Sequence, residues 1–326
     1  MLESFINFKE INERPWLVFV WAFIVSSVAI LVSMWLSFHV LISGINVDLT
    51  GLFAVIFTII PSVFFVTLLI KREEALEEEY IKKHYHDDRF WERHSRDLMI
   101  FLLFFAGITL AFAFWYVILP ATWSMLFGAE ILSENVFMVQ VSKISQIRGL
   151  AGSATELHPQ FLPIFANNMQ VMFFSFLFSF IFGAGAVFII AWNASILGIA
   201  IGQISESLWY IPTVSMGFVL HGVPEIAGYL AAALAGGLLS AAIIRGHGSE
   251  VLKKVLRDAV LILLFAFFSI ICGAVIEASG GMIFLGSLVL WWGAFIYMIM
   301  RFFFKLQQTA SYNKQQTANN DKKQVE

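Results

Sequence analysis

Little of this sequence is charged. Asp, Glu, Lys and Arg make up 13% of its 326 residues, about half the fraction found in a soluble domain. A chain that is also 59% hydrophobic has too little polar surface to cover a core in water, which excludes an ordinary soluble fold. Cysteine is nearly missing. Cys272 stands alone, so neither an intrachain disulfide nor a thiolate metal centre is expected. Recognisable enzyme patterns are absent as well: the chain contains no H-E-x-x-H, no Walker A or dinucleotide glycine pattern and no G-x-S-x-G elbow. It reads as a non-enzyme with no cofactor and no bound metal. The net charge of −3 says nothing about partners, and nucleic acid is not among those expected.

Long apolar runs stand in place of charge. Runs of about 20 residues, enough to cross a bilayer, lie near 16–42, 50–70, 98–119, 167–190, 258–278 and 283–304. The remaining tract, 193–244, is too long for one crossing. His221, Gly222 and Pro224 divide it into a hairpin of 193–219 and 223–244. The expected fold is all-α, a polytopic transmembrane bundle of about eight spans, with a fifth helix open to being broken or re-entrant. The first run lacks a small-x-small cleavage site and is expected to be retained as a span.

Positive charge orients the bundle. With the N-terminus inside, eighteen of the twenty lysines and arginines fall in inside segments. Only Lys143 and Arg148 lie outside, both in the long 120–166 segment. This bias puts both termini in the cytoplasm of a multi-pass cell-membrane protein, and only an even number of spans allows that.

Four parts are expected along the chain. Residues 1–119 carry three aromatic-rich spans and a charged cytoplasmic helix over 71–97. There His84, His86, Asp87, Asp88 and His94 lack diagnostic metal-ligand spacing, which favours a solvated helix or helical extensions of the second and third spans. Residues 120–166 form an extracytoplasmic loop. Phe137, Val141, Ile144 and Ile147 recur there at helical spacing, as in a helix lying on the outer membrane face. Residues 167–306 form a polar-seamed membrane core, and 307–326 a disordered cytoplasmic tail rich in Gln, Asn and Lys.

The informative residues are the polar ones in that core. Asn167, Asn168, Asn193, Glu206, His221 and Glu225 fall inside apolar, small-residue-rich segments. A charged group at a bilayer centre costs roughly 3 kcal/mol on insertion scales, so such residues face partners or a water-filled cavity. Ala194, Gly198, Gly202 and Glu206 share a four-residue stripe, as do Gly228, Ala232, Gly236 and Ser240, and then Ser269, Gly273 and Glu277. Small stripes allow close helix packing, and they permit a homodimer. Gly222 and Pro224 suit a turn that opens a helix, with His221 able to meet Glu225 through it. Three uses remain open for that pair: a lock between the fifth and sixth spans, an ion or substrate site, and catalysis. Glu206 or His158 is a conceivable further metal ligand. Asn168 and Asn193 suit helix N-caps, and the paired asparagines share the outer side with His221 and Glu225.

F-A-N-N at 165–168, G-A-G at 183–185, W-N-A-S-I-L-G at 192–198 and H-G-V-P-E-I-A-G at 221–228 together resemble the stage II sporulation protein M family, over roughly 160–245. Asn168 (or Asn167), Asn193, Gly198, His221, Gly222 and Glu225 carry that resemblance. It implies a multispanning, non-enzymatic scaffold for a cell-wall-degrading complex, and hence a membrane or envelope protein as partner beside the lipid bilayer. The second reading, from the intramembrane Glu and His residues, is an ion-coupled transporter or permease.

Overall fold

A computed structural model describes residues 15–36, 39–42, 45–83, 90–152, 157–182, 185–244, 246, 249–278, 291–294, 296–297 and 300. Its helices are α1 (Trp16–Leu36), α2 (Thr50–Lys83), α3 (Phe90–Phe127), α4 (Ser133–Val136), α5 (Met138–Gly152), α6 (Leu157–Phe182), α7 (Ala186–Ser205), α8 (Ile211–Ile244) and α9 (Ser249–Ala278). Among the described residues, seven helices are long and apolar enough to cross a membrane. The segment expected as an eighth span, 283–304, is described at 291–294, 296–297 and 300, all helical. The fold is an all-α polytopic bundle.

Several boundaries differ from the sequence expectation. The first span ends at Leu36, and an antiparallel pair, β1 (His39–Ile42) and β2 (Ile45–Asp48), occupies the next stretch. Its register sets His39 opposite Asp48 and Ile42 opposite Ile45. The Asp48 carboxylate then accepts the Thr50 backbone N–H at 2.8 Å, satisfying one of the donors that the start of α2 leaves free. The charged stretch over 71–97 is helical where it is described, with α2 running on to Lys83 and α3 beginning at Phe90. The histidines and aspartates at 84–88, the His94 and His158 side chains and the tail 307–326 lie outside what the structure describes.

The expected hairpin turn at His221–Pro224 is not there. The chain turns instead at Glu206–Ser207, and α8 runs unbroken from Ile211 through Pro224 to Ile244. Proline normally breaks a helix because it removes the bond to the carbonyl four residues back, here that of Leu220. Trp292 supplies the missing donor: its indole N–H reaches the Leu220 carbonyl at 3.3 Å. Asn193 does not cap a helix either. It lies within α7, its amide donating to the Ile189 carbonyl at 2.7 Å. Likewise α6 begins at Leu157, with Pro159 in its first turn, so Asn168 sits inside that helix rather than at its start.

The segment that follows α3 is docked on the bundle. Phe137 is fully buried, its ring 6.0 Å from that of Phe112 and 6.1 Å from that of Tyr116. Ser133 donates to the Tyr116 carbonyl at 2.6 Å, and Gln140 to the Gly51 carbonyl at 2.9 Å. These bonds fasten α4 to α3 and α5 to the start of α2.

Two helix groups share one core, which runs from Val18 on α1 through Phe104 on α3 and Ile190 on α7 to Leu230 on α8 and Ile262 on α9. In the first group α1 packs on α2 and α3, while α7 lies along α3. In the second, α8 is sandwiched between α6 and α9. Every residue from Pro224 to Ser240 is buried. A helix enclosed on all sides is apolar over most of its surface, here all but Glu225, Ser240 and the Tyr229 hydroxyl, and its neighbours approach closely only where its side chains are small. Gly228 meets Ile270 and the Ala266 carbonyl of α9, Gly236 meets the Phe176 carbonyl and Ser179 of α6, and Ala232 is fully buried between them in sequence. Gly198 and Gly202 do the same for α7 against Thr109, Phe112 and Tyr116 of α3.

Candidate functional site: a polar junction of three helices

Three helices each bring polar groups to one level of the bundle. From α6 comes Asn168, 5% exposed; from α8 come Glu225 and Tyr229, each 8% exposed. Glu225 and Tyr229 are four residues apart and therefore share a helix face. The Tyr229 hydroxyl donates to Asn168 Oδ1 at 2.5 Å, and Asn167 Nδ2 lies 3.4 Å from the same oxygen. From α9 come Gly273 and Glu277. The Glu225 side chain lies directly across Gly273, where a β-carbon would collide with its Cγ and stand 3.1 Å from its Oε1. Only a glycine leaves that side chain its path.

The Glu225 carboxyl faces the Asn168 amide and the Glu277 carboxyl, both close enough to interact. Even so, Glu225 Oε1 and Asn168 Nδ2 have no hydrogen-bond partner. Glu277 is an exposed residue whose carboxyl end is crowded by α8. The junction is thus closed on the Asn168 side and bounded at its edge by Glu277.

The sequence candidates divide sharply. Asn167, Asn168, Glu225 and Gly273 meet at the junction. His221 is half-buried one turn before Glu225, with its backbone carbonyl over Gly273 and its ring 5.9 Å from Phe218. Both residues ride the same unbroken helix, so the turn-mediated pairing expected for them is absent. Gly222 is half-buried and has open space where a side chain would stand. Asn193 is spent on its own helix. Glu206 is exposed at the turn after α7, with φ 51° in the left-handed region. It ends the small-residue stripe of Gly198 and Gly202 instead of contributing an intramembrane carboxylate. The lock expected between the fifth and sixth spans therefore joins α8 to α6 and α9. Tyr229 escaped the sequence reading, although its four-residue offset from Glu225 was a usable signal. Glu277 was read only as the end of the stripe of Ser269 and Gly273, without a link to Glu225.

Fold and junction together define a class: a multi-pass helical membrane protein whose hydrophilic side chains are gathered between helices. The family model described as Stage II sporulation protein M matches residues 100–280, more than half of the chain. The chain belongs to that family. The match runs from within α3 to the end of α9, so it takes in the third span and the helices α4 and α5 as well as the four motifs that suggested it. No curated protein and no solved structure matches the chain.

Proposed function

We propose that this protein is a non-enzymatic scaffold of the cell envelope, seated in the cell membrane with both termini in the cytoplasm. In this reading it holds a membrane or envelope protein during wall or septum remodelling. Family membership supports the reading, and one observation carries it: Asn168, Glu225 and Tyr229 gather where three helices of the same chain meet, and the Tyr229–Asn168 hydrogen bond ties two of those helices together. Such a junction fixes the shape of a platform. The small-residue stripes also pack within one chain, so they do not call for a second copy.

The test is in-cell crosslinking followed by purification from native membranes, with flux measured in parallel on proteoliposomes. A membrane- or wall-associated protein recovered in fixed ratio, without flux, is the expected result. Flux abolished by Glu225→Gln would instead establish the second reading, an ion-coupled permease, for which the apposed carboxyls of Glu225 and Glu277 are the favouring observation. Orientation is checked separately. A cysteine at Ser145, exposed on α5, should react with an impermeant maleimide from outside intact cells, and reaction only from the cytoplasm would reverse the topology.

A further inference from the structure

We infer that the first turns of α8, Ile211–Val223, form an arm hinged at Pro224 and latched by Trp292, so that the helical stretch 291–294 governs how the arm lies against α3 and α7. This goes beyond the scaffold reading and does not depend on it, since the device needs no partner.

Burial changes at a single residue. None of the residues from Pro212 to Val223 is buried, whereas every one from Pro224 to Ser240 is. Past the hinge, α8 is held on all sides. Before it, only Ile211 is buried, in a small cluster with Ala113 of α3 and Ile201 of α7 that is separate from the main core. Val214 and Phe218 pack on that cluster. Met216 and Leu220 stand exposed, and Gly217 and Gly222 have open space where a side chain would be. Segments with few buried apolar contacts are the ones that open at low cost.

Backbone chemistry puts the joint at the same place. Pro224 has no N–H for the Leu220 carbonyl, and proline disfavours helical geometry in the residue before it, here the β-branched Val223. Gly222 is a poor helix former as well. Three successive residues thus loosen one turn, and sharp bends in long helices fall at such points. At its other end the arm meets the turn where Glu206 holds φ 51°, a region that residues other than glycine seldom occupy. A rigid stretch between two such joints can swing as a unit.

The latch comes from far along the chain. Trp292 donates to the freed Leu220 carbonyl at 3.3 Å, while its neighbour Trp291 donates to the Ser269 hydroxyl of α9 at 2.8 Å. Trp291 is buried with Ala227 and Cys272, on the enclosed side of the joint, and Val223 and Trp292 pack against that group. One indole is therefore anchored on α9 and the next reaches the arm. A carbonyl left without a donor is costly in a bilayer, so the Trp292 bond favours the closed position. Displacement of the 291–294 stretch releases it.

The experiment uses the full chain in lipid nanodiscs, with Cys272 replaced by alanine, and pulsed electron paramagnetic resonance between nitroxide pairs. One pair joins Met216 on the arm to Val28, exposed on α1; a control pair joins Val28 to Leu264, exposed on α9. Met216–Val28 should give one dominant distance and a minor second one. Trp292→Phe should raise the second several-fold, and adding Pro224→Ala should return it to the parent level or below, with the control pair constant throughout. A Met216–Val28 distribution unmoved by Trp292→Phe overturns the inference, and so does a change that the control pair shares. If Trp292→Phe does not fold, Pro224→Ala alone decides: it should remove the minor distance, and a distribution identical to the parent's sinks the hinge. Recovery or loss of an envelope partner bears on the scaffold reading alone.

Discussion

Tyr229 and Asn168 come from different helices, yet the phenol of one donates to the amide oxygen of the other at 2.5 Å inside the bundle. Side-chain hydrogen bonds between membrane helices are worth about 0.6 kcal/mol on average, with a maximum near 1.7. Tyr229→Phe keeps the ring and removes only the donor. It should lower stability by about 1 kcal/mol in a reversible detergent unfolding titration. An unchanged midpoint would mean that Asn168 finds another donor at no cost.

Close approach of α8 to its neighbours leads to a contrast between two glycines of the same helix. A β-carbon at Gly236 would overlap the Phe176 carbonyl and come within 3.0 Å of Ser179 Cβ and the Phe180 nitrogen. Backbone atoms cannot swing aside, so Gly236→Ala should cost about 1–3 kcal/mol, the range for overpacked cores. At Gly222 nothing lies within 4 Å of the added atom. Alanine is better than glycine in a helix by up to about 1 kcal/mol, so Gly222→Ala should be neutral or stabilising. Thermal unfolding of both variants in one detergent decides it, and equal losses would contradict the packing described.

Pro224 and Trp292 form a couple that a double-mutant cycle can isolate. Trp292→Phe leaves the Leu220 carbonyl without its 3.3 Å donor, a loss of about 0.5–1.5 kcal/mol for a neutral hydrogen bond. In a Pro224→Ala background residue 224 has its own N–H for that carbonyl, and Trp292→Phe should then cost much less. Additive effects would show that the indole is not substituting for the helical bond.

That couple also explains what the sequence could and could not reveal. Scarcity of charge and the length of the apolar runs make the membrane class legible, since both are sums over many residues. Asn168, Glu225 and Gly273 are legible because an amide, a carboxylate and a glycine inside apolar helices each need a local reason. The turns are not. Pro224 signals a break only if nothing repairs the lost bond, and the repair comes from Trp292, far along the chain. The real turn falls at Glu206, a residue type with no special preference for a left-handed backbone. Tyr229 is hidden for a different reason: an aromatic residue in an apolar helix reads as packing until its hydroxyl is given a partner.

Glu206 yields the last prediction. It is the one non-glycine residue with positive φ among those described, and its backbone N–H closes α7 onto the Gly202 carbonyl at 3.3 Å. A left-handed conformation costs an ordinary residue about 1–2 kcal/mol, and glycine escapes most of that, while glycine's larger unfolded-state freedom takes back roughly 0.4–1 kcal/mol. Glu206→Gly should therefore leave stability unchanged or raise it by up to about 1 kcal/mol. Glu206→Ala keeps the strained backbone and removes the carboxylate, so it isolates the charge. If the carboxylate were an intramembrane ligand, Glu206→Gly and Glu206→Ala would both be destabilised in a thermal melt by similar amounts. If the turn alone matters, only the glycine variant should gain, and Glu206→Ala should match the wild type.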